Sequence, residues 1–325
     1  DLSNAGEQDI NGDTVVDLQI KNIENLEGSI GADKLTGNAS NNILKGLDGN
    51  DSFISSGGND TIYGGNESTD TSTSDVVDYS NGLRIDVDLT KASQQVSKVN
   101  GKDTLYGIDK IIGSTQNDTF KGDASNNTFE AGAGNDILEG GAGDDYLDGG
   151  EDDDTLSGGT GDDQLIGGLG NDTADYSKRN EAIYADLSNA TPQIIVDTYD
   201  GAADGDTTHE FVSTAGITKD EVDTINGIEN VTGGSNADTF IGNSISNILK
   251  GGVGSDTFLI KDTLNVSGDF IDGGSESNGA RGNDTVDYSA LGTSESVNIS
   301  LNDTAVANVT LSGTANHHKI IDIEN

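Results

Sequence analysis

The stretch from Ala131 to Asp175 reads AGAGNDILE GGAGDDYLD GGEDDDTLS GGTGDDQLI GGLGNDTAD, five copies of one nine-residue phrase with nothing between them. The phrase is glycine-glycine-x-glycine-x-aspartate-x-apolar-x. A strict short period requires one small unit to be built repeatedly and stacked, because a single phrase cannot bury its own apolar residue. The first six positions, rich in glycine, aspartate and asparagine, predict a turn. The last three, centred on the apolar residue, predict a short strand. Glycines at positions one, two and four permit positive φ and close backbone approach. Position eight (Leu138, Leu147, Leu156, Leu165) faces inward and its two neighbours face out. Two phrases back to back form a coil, and stacked coils about 4.8 Å apart share a thin core. A flexible glycine-aspartate linker would not hold this phase.

The register extends outward. Gly113–Lys121 and Gly122–Glu130 precede the stretch without a break. An earlier block begins at Gly28 (GSIGADKLT, GNASNNILK, GLDGNDSFI, SSGGNDTIY) and a later one at Gly233 (GGSNADTFI, GNSISNILK, GGVGSDTFL). In the outer blocks one phrase is split, by Glu67–Ser72 and by Glu276–Arg281, which predicts loops bulging from one turn. Each block closes on Asp-Tyr-Ser: Asp78–Ser80, Asp175–Ser177 and Asp287–Ser289. Tyr79, Tyr176 and Tyr288 read as packing at a roll's end. An alternating segment then follows, such as Arg84–Leu89 or Ser296–Leu301, the period-two pattern of a strand. Next comes Ile-acid-x (Ile108–Lys110, Ile228–Asn230), leading into the next block.

These marks divide the chain into a partial linker (1–27), a first block (28–80, loop 67–72) and a strand-rich linker (81–112). The second and longest block (113–177), a linker with an insertion near 197–212 (178–232), a third block (233–289) and a partial linker (290–325) follow. Ile217–Ile225 is expected to form a short helix, and the acidic cluster Asp197–Asp206 a solvated loop. Asp1–Ala5 repeats Asp186–Ala190 and Ile323–Asn325 matches Ile23–Asn25, so the chain reads as a segment of a longer repetitive protein.

Composition narrows the partners. Fifty-eight acidic residues against 16 basic give a formal charge of -42. Such a surface repels phosphate, which excludes nucleic acid and disfavours anionic lipid. Cations are the partners it suits. Leu, Ile, Val and Phe are sparse, near the composition at which acidic chains stay disordered. Proline, however, occurs once, at Pro192, as expected of a ladder needing its backbone N–H groups. The chain reads as one that folds when its charge is neutralised. It has no cysteine, so extracellular stability requires another staple, such as metal. No apolar run is long enough to span a membrane, and nothing at Asp1 resembles a signal peptide.

Position six is aspartate at Asp136, Asp145, Asp154, Asp163 and Asp172, and two phrases per coil stack alternate members on one side. Like charges so placed repel unless a cation lies between them. Carboxylate oxygens beside glycine-freed carbonyls suit calcium, with its 6–8 oxygen ligands, better than tightly hydrated magnesium or a histidine- and cysteine-seeking zinc.

The phrase resembles the repeat of the RTX (repeats-in-toxin) family, a calcium-binding nonapeptide β-helix. The resemblance implies an all-β fold, a right-handed parallel β-roll (β-solenoid) with calcium between its turns. The ligands it implies are the position-six aspartates, here Asp51, Asp60, Asp75, Asp136, Asp145, Asp154, Asp163, Asp172, Asp256 and Asp284, with carbonyls at positions two and four. Those carbonyls belong to Gly49, Gly58, Gly132, Gly134, Gly141, Gly143, Gly150, Asp152, Gly159, Gly161, Gly168, Gly170, Gly252 and Gly254. Asp152 keeps the carbonyl without glycine's freedom. Asn42, Asn127 and Asn247 replace the acid in the second phrase of every block, which predicts amide-bonded turns; Asp33, Asp118 and Asp238 keep it among fewer glycines. The resemblance also implies type I export from a low-calcium cytoplasm and folding outside the cell.

Each acid of the blocks has a repeat counterpart, which suits structure better than catalysis, and no nucleophile elbow, HExxH, phosphate loop or triad stands out. His317 and His318 are adjacent and read as a surface pair. Three classes remain: a calcium-stiffened segment of an adhesin or surface-layer protein, associating with further domains or neighbouring copies; the C-terminal module of a secreted toxin or hydrolase; and a glycan or ice binder. Ice binding calls for outward threonine-asparagine ladders, whereas position three varies (Ala133, Ala142, Glu151, Thr160, Leu169).

Overall fold

A computed structural model describes residues 7–8, 18–19, 23–65, 74–93, 95–188, 193–197, 221–261, 268–274, 282–291, 297–300, 307–311 and 317–323. The split-phrase loops 67–72 and 276–281 and the insertion 198–212 lie outside these residues. Among the described residues no helix forms, and the chain is an all-β parallel β-roll. It divides into two compact units, Asp1–Asp154 and Thr155–Asn325.

In the first unit, one sheet runs Asn25–Glu27, Ile43–Leu47, Thr61–Gly65, Gly101–Tyr106, Val96–Lys98, Ile85–Asp88, Thr119–Lys121, Ile137–Ala142. The other runs Lys34–Thr36, Ser52–Ile54, Val76–Asp78, Lys110–Ile112, Thr128–Ala133, Tyr146–Glu151. Successive phrases thus alternate between two sheets. Parallel neighbours are one coil apart in register: Phe120 pairs with Leu138 and Phe129 with Leu147. The second unit repeats the plan, Leu156 pairing with Ala174 and Phe240 with Phe258.

The core is the position-eight row. Leu44, Phe53, Ile62, Leu138, Leu147, Leu156, Leu165, Phe240 and Phe258 are completely buried, whereas Ile137, next to Leu138, is 48% exposed. Strand alternation produces this contrast, since adjacent side chains leave opposite faces of a strand. In the longest block the strands from Thr128–Ala133 to Gln164–Leu169 are six residues rather than the three expected. Ile137–Ala142 and Tyr146–Glu151 continue through the glycines of the next phrase. There Gly132 pairs with Gly150 and Ala133 with Glu151, so full phrases stacked on full phrases prolong the ladder.

The linkers belong to the same sheets. Ile85–Asp88, Val96–Lys98 and Gly101–Tyr106 form an antiparallel meander whose outer strands pair in parallel with Thr119–Lys121 and Thr61–Gly65. Ala182–Asp186, Gln193–Asp197 and Glu221–Asn226 do the same in the second unit, and in the antiparallel meander Val297–Ser300, Ala307–Leu311, His317–Ile321 the last strand pairs in parallel with Phe270–Asp272. The expected helix over Ile217–Ile225 is corrected on its described part: Glu221–Asn226 is a strand. Its alternate residues Asp223 and Ile225 are both buried, a period of two that pairing with Gln164–Ile166 imposes.

Asp-Tyr-Ser makes the same corner each time. Asp78, Asp175 and Asp287 accept the N–H of the serine two residues on at 2.8, 2.9 and 2.7 Å. Tyr79 and Tyr176 turn inward and donate their hydroxyls to Asp103 and Asp223, so they are hydrogen-bonding posts as well as packing.

Candidate metal centres

Position six forms a ladder of its own. The N–H of Asp118 donates to Asp136 Oδ1 at 2.6 Å, that of Asn127 to Asp145 Oδ1 at 2.7 Å, and that of Asp136 to Asp154 Oδ1 at 2.8 Å. In the first block Asp33 donates to Asp51 and Asp51 to Asp75; in the third, Asp238 donates to Asp256 and Asp256 to Asp284. One carboxylate oxygen of each acceptor is therefore committed to the neighbouring coil, and the other decides whether the turn can hold a cation.

Two kinds of turn result. In the opening phrases the side chain closes its own turn by accepting the position-two N–H: Ser29 to Asp33 at 2.5 Å, Ser114 to Asp118 at 2.6 Å, Gly234 to Asp238 at 2.8 Å. The second phrases do likewise with an amide oxygen, Asn38 to Asn42, Asp123 to Asn127 and Asn243 to Asn247, at 2.7, 2.9 and 2.9 Å. The amide-bonded turn expected at all three asparagines is present. In the full phrases positive φ at position two re-aims that N–H, as at Gly132 (+116°) and Gly252 (+100°). The Oδ2 atoms of Asp136 and Asp256 are then buried with no hydrogen-bond partner.

The three glycines serve different ends. Positions two and four take positive φ at Gly132, Gly134, Gly141, Gly143, Gly159, Gly161, Gly168, Gly170, Gly252 and Gly254, as do Gly49, Gly58 and Gly150. Asp152, at position four, adopts the same conformation (φ +76°), as does Leu47 at position two (φ +85°). Position one needs space instead: a Cβ on Gly149 or Gly251 would collide with Oδ2 of Asp154 or Asp256.

Burial and neighbouring carboxylates make these acids hard to ionise without a cation. Burial, followed by the charges of Asp154, Asp118 and Asp152, pushes Asp136 up to about 8. Burial and then Asp238 and Asp284 raise Asp256 to about 7, and burial with Asp123 and Asp144 raises Asp145 to about 6. A buried carboxylate oxygen without a donor, in a turn whose glycines take positive φ, fits a hard divalent cation with backbone carbonyls as its further ligands. Among the described residues no three His, Asp or Glu side chains converge on one metal position. Backbone oxygens must complete the shell.

Several ladder members lack the full glycine phrase and were not read from sequence as ladder positions. Asp103, Asp109, Asp223, Glu229 and Asp269 take position six where a linker or the long third-block phrase enters a coil. They accept the N–H of Asp60, Asp75, Asp163, Asp172 and Asn247. Their signature is the remnant aspartate-x-apolar, as in Asp103-Thr104-Leu105 and Asp223-Thr224-Ile225, or the acid of Ile-acid-x. His318 holds the same place in the last coil, where its Nδ1 accepts the Asp269 N–H at 3.1 Å. The surface position expected for His318 is therefore corrected: it is completely buried, because strand alternation turns it inward. Asp60 differs from Asp136 and Asp256, since its Oδ2 meets the ammonium of Lys98.

Parallel coils whose turns stack buried acid oxygens beside positive-φ glycines define a metal-binding β-roll repeat protein. No curated protein matches the chain. The family model for the RTX calcium-binding nonapeptide repeat, four copies long, matches residues 22–53, 36–68, 103–138, 139–174 and 223–259. These blocks belong to the RTX calcium-binding nonapeptide-repeat family, and the chain binds several calcium ions.

Proposed function

We propose that the chain is a calcium-built structural region of a secreted or cell-surface repeat protein, of adhesin or surface-layer type. In this reading it leaves the cell by type I secretion, folds when it meets extracellular calcium, and then acts as a stiff extender or assembly segment. The observation that carries the proposal is the pair of buried, unbonded oxygens, Asp136 Oδ2 and Asp256 Oδ2, set among turns of positive φ. The ions would lie at Asp51, Asp75, Asp136, Asp145, Asp154, Asp163, Asp172, Asp256 and Asp284, completed by the carbonyls at positions two and four. Calcium supplies positive charge that lets stacked carboxylates ionise together. The chain's own residues set where that charge can sit.

Folding coupled to calcium is the test. Circular dichroism in chelator should show little β-structure, and a titration to roughly millimolar calcium should build it cooperatively. Full β-structure in chelator, or no response to calcium, would sink the reading. The rival role, a folding module of a secreted toxin or hydrolase, predicts the same titration and is decided by whether the adjoining chain carries an enzyme.

A further inference from the structure

Asp60 and Asp103 are stacked position-six residues, the Asp60 N–H donating to Asp103 Oδ1 at 2.9 Å. Their side chains are fully buried. Between their second oxygens lies Lys98 Nζ, 2.7 Å from Asp103 Oδ2, 3.1 Å from Asp60 Oδ2 and 2.6 Å from Ser55 Oγ. Ser55 is position one of the same phrase, and its hydroxyl reaches Asp103 Oδ2 at 2.8 Å. Tyr79 donates to that oxygen at 2.9 Å, and its ring centroid is 5.8 Å from Nζ. Lys98 itself is only 8% exposed. At the comparable position of the second block, Asp136 stacks on Asp154 and keeps Oδ2 unbonded.

We propose that Lys98 is a built-in counterion that takes the place of a calcium ion in the Ser55–Asp60 turn. The coil that receives the linker is thereby closed by a side chain and holds no metal. The linker geometry delivers the ammonium: Lys98 ends the middle strand of the meander, pairing with Ile85 and Gly101. One positive charge between two carboxylates does electrostatically what a divalent ion does elsewhere, and the hydroxyls of Ser55 and Tyr79 fill the remaining valences. A cationic side chain also enters a turn in the second unit. Arg179, two residues after the corner Ser177, donates to the carbonyl of Gly159, a position-two oxygen, and to Glu181 and Glu221.

This inference rests on the calcium-site reading above, and the experiment separates the two. Bound calcium per full-length chain is counted at saturation by equilibrium dialysis, with circular dichroism confirming the fold. Asp136→Asn reports on the site reading itself: it should lose bound calcium, and an unchanged count there would fault that reading and not this one. Asp60→Asn should leave the count at the wild-type value, and Lys98→Met should gain one ion. A count that falls in Asp60→Asn as it does in Asp136→Asn overturns the proposal. So does an unchanged count in folded Lys98→Met. Should Lys98→Met fail to fold, the Asp60→Asn count decides alone.

Discussion

The backbone N–H of Asn127 donates to Oδ1 of Asp145, one coil further along, at 2.7 Å. The same aspartate that is proposed to bind calcium is thus already a structural acceptor. The two duties fall on different oxygens and can be separated by substitution.

Asp145→Asn keeps an acceptor for Asn127 and removes the charge, whereas Asp145→Ala removes both. The alanine variant should be destabilised by a further ~1–3 kcal/mol, the cost of a buried donor left without a partner. Both should bind less calcium. Thermal melts at saturating calcium, with dialysis counts, check this; equal melting of the two variants would refute the ladder's role.

Acidity should act in opposite directions with and without calcium. Asp136, Asp256 and Asp145 have folded values near 8, 7 and 6, raised from 3.8 mainly by burial. The folded chain therefore holds protons more tightly than the unfolded one, and in chelator whatever β-structure protonation allows near pH 4 should be lost as pH rises through 8. Calcium must displace those protons, so its apparent affinity should climb over pH 6–8. Melts and titrations at stepped pH would show it; a chelated chain most stable at pH 8 would contradict the assignment.

Leu138 and Ile137 are adjacent, one fully buried and the other 48% exposed. Leu138→Ala should cost about 2–5 kcal/mol, because so thin a core cannot collapse around the gap. Ile137→Ala should stay within about 0.5 kcal/mol. Denaturant unfolding in calcium distinguishes them.

Position two should tolerate glycine and reject alanine. Gly141 has φ +118°, and a Cβ there would run into the Asp123 carbonyl oxygen. Gly141→Ala should lower both melting temperature and calcium count. Leu47 adopts φ +85° at the same position, a conformation costing a side chain about 1–2 kcal/mol. Leu47→Gly should melt no lower than wild type with its calcium count unchanged. A lower melt would show that the leucine side chain contributes more than its backbone strain costs.

The period of nine, the inward row at position eight and the asparagine turns were all readable as sequence, because each depends only on residues within one phrase. Leu138 and Asn127 behave as their local pattern dictates. What the sequence did not disclose is where the chain re-enters a coil after leaving it. Asp103 and His318 sit in ladder positions without the full glycine phrase before them, and only strand pairing across the meander brings them there. The helix expected near Ile225 failed for the same cause, since pairing with Gln164–Ile166 overrode a weak local preference.

The sequence by itself thus determined a glycine-and-aspartate turn, a buried apolar row and a charge that calcium must offset. Tertiary structure decided which aspartates have an oxygen to spare. Asp136 and Asp60 occupy the same place in the phrase, yet one keeps Oδ2 unbonded and the other meets Lys98. The difference lies in what the neighbouring coil and linker deliver to the turn, over separations no nine-residue pattern records.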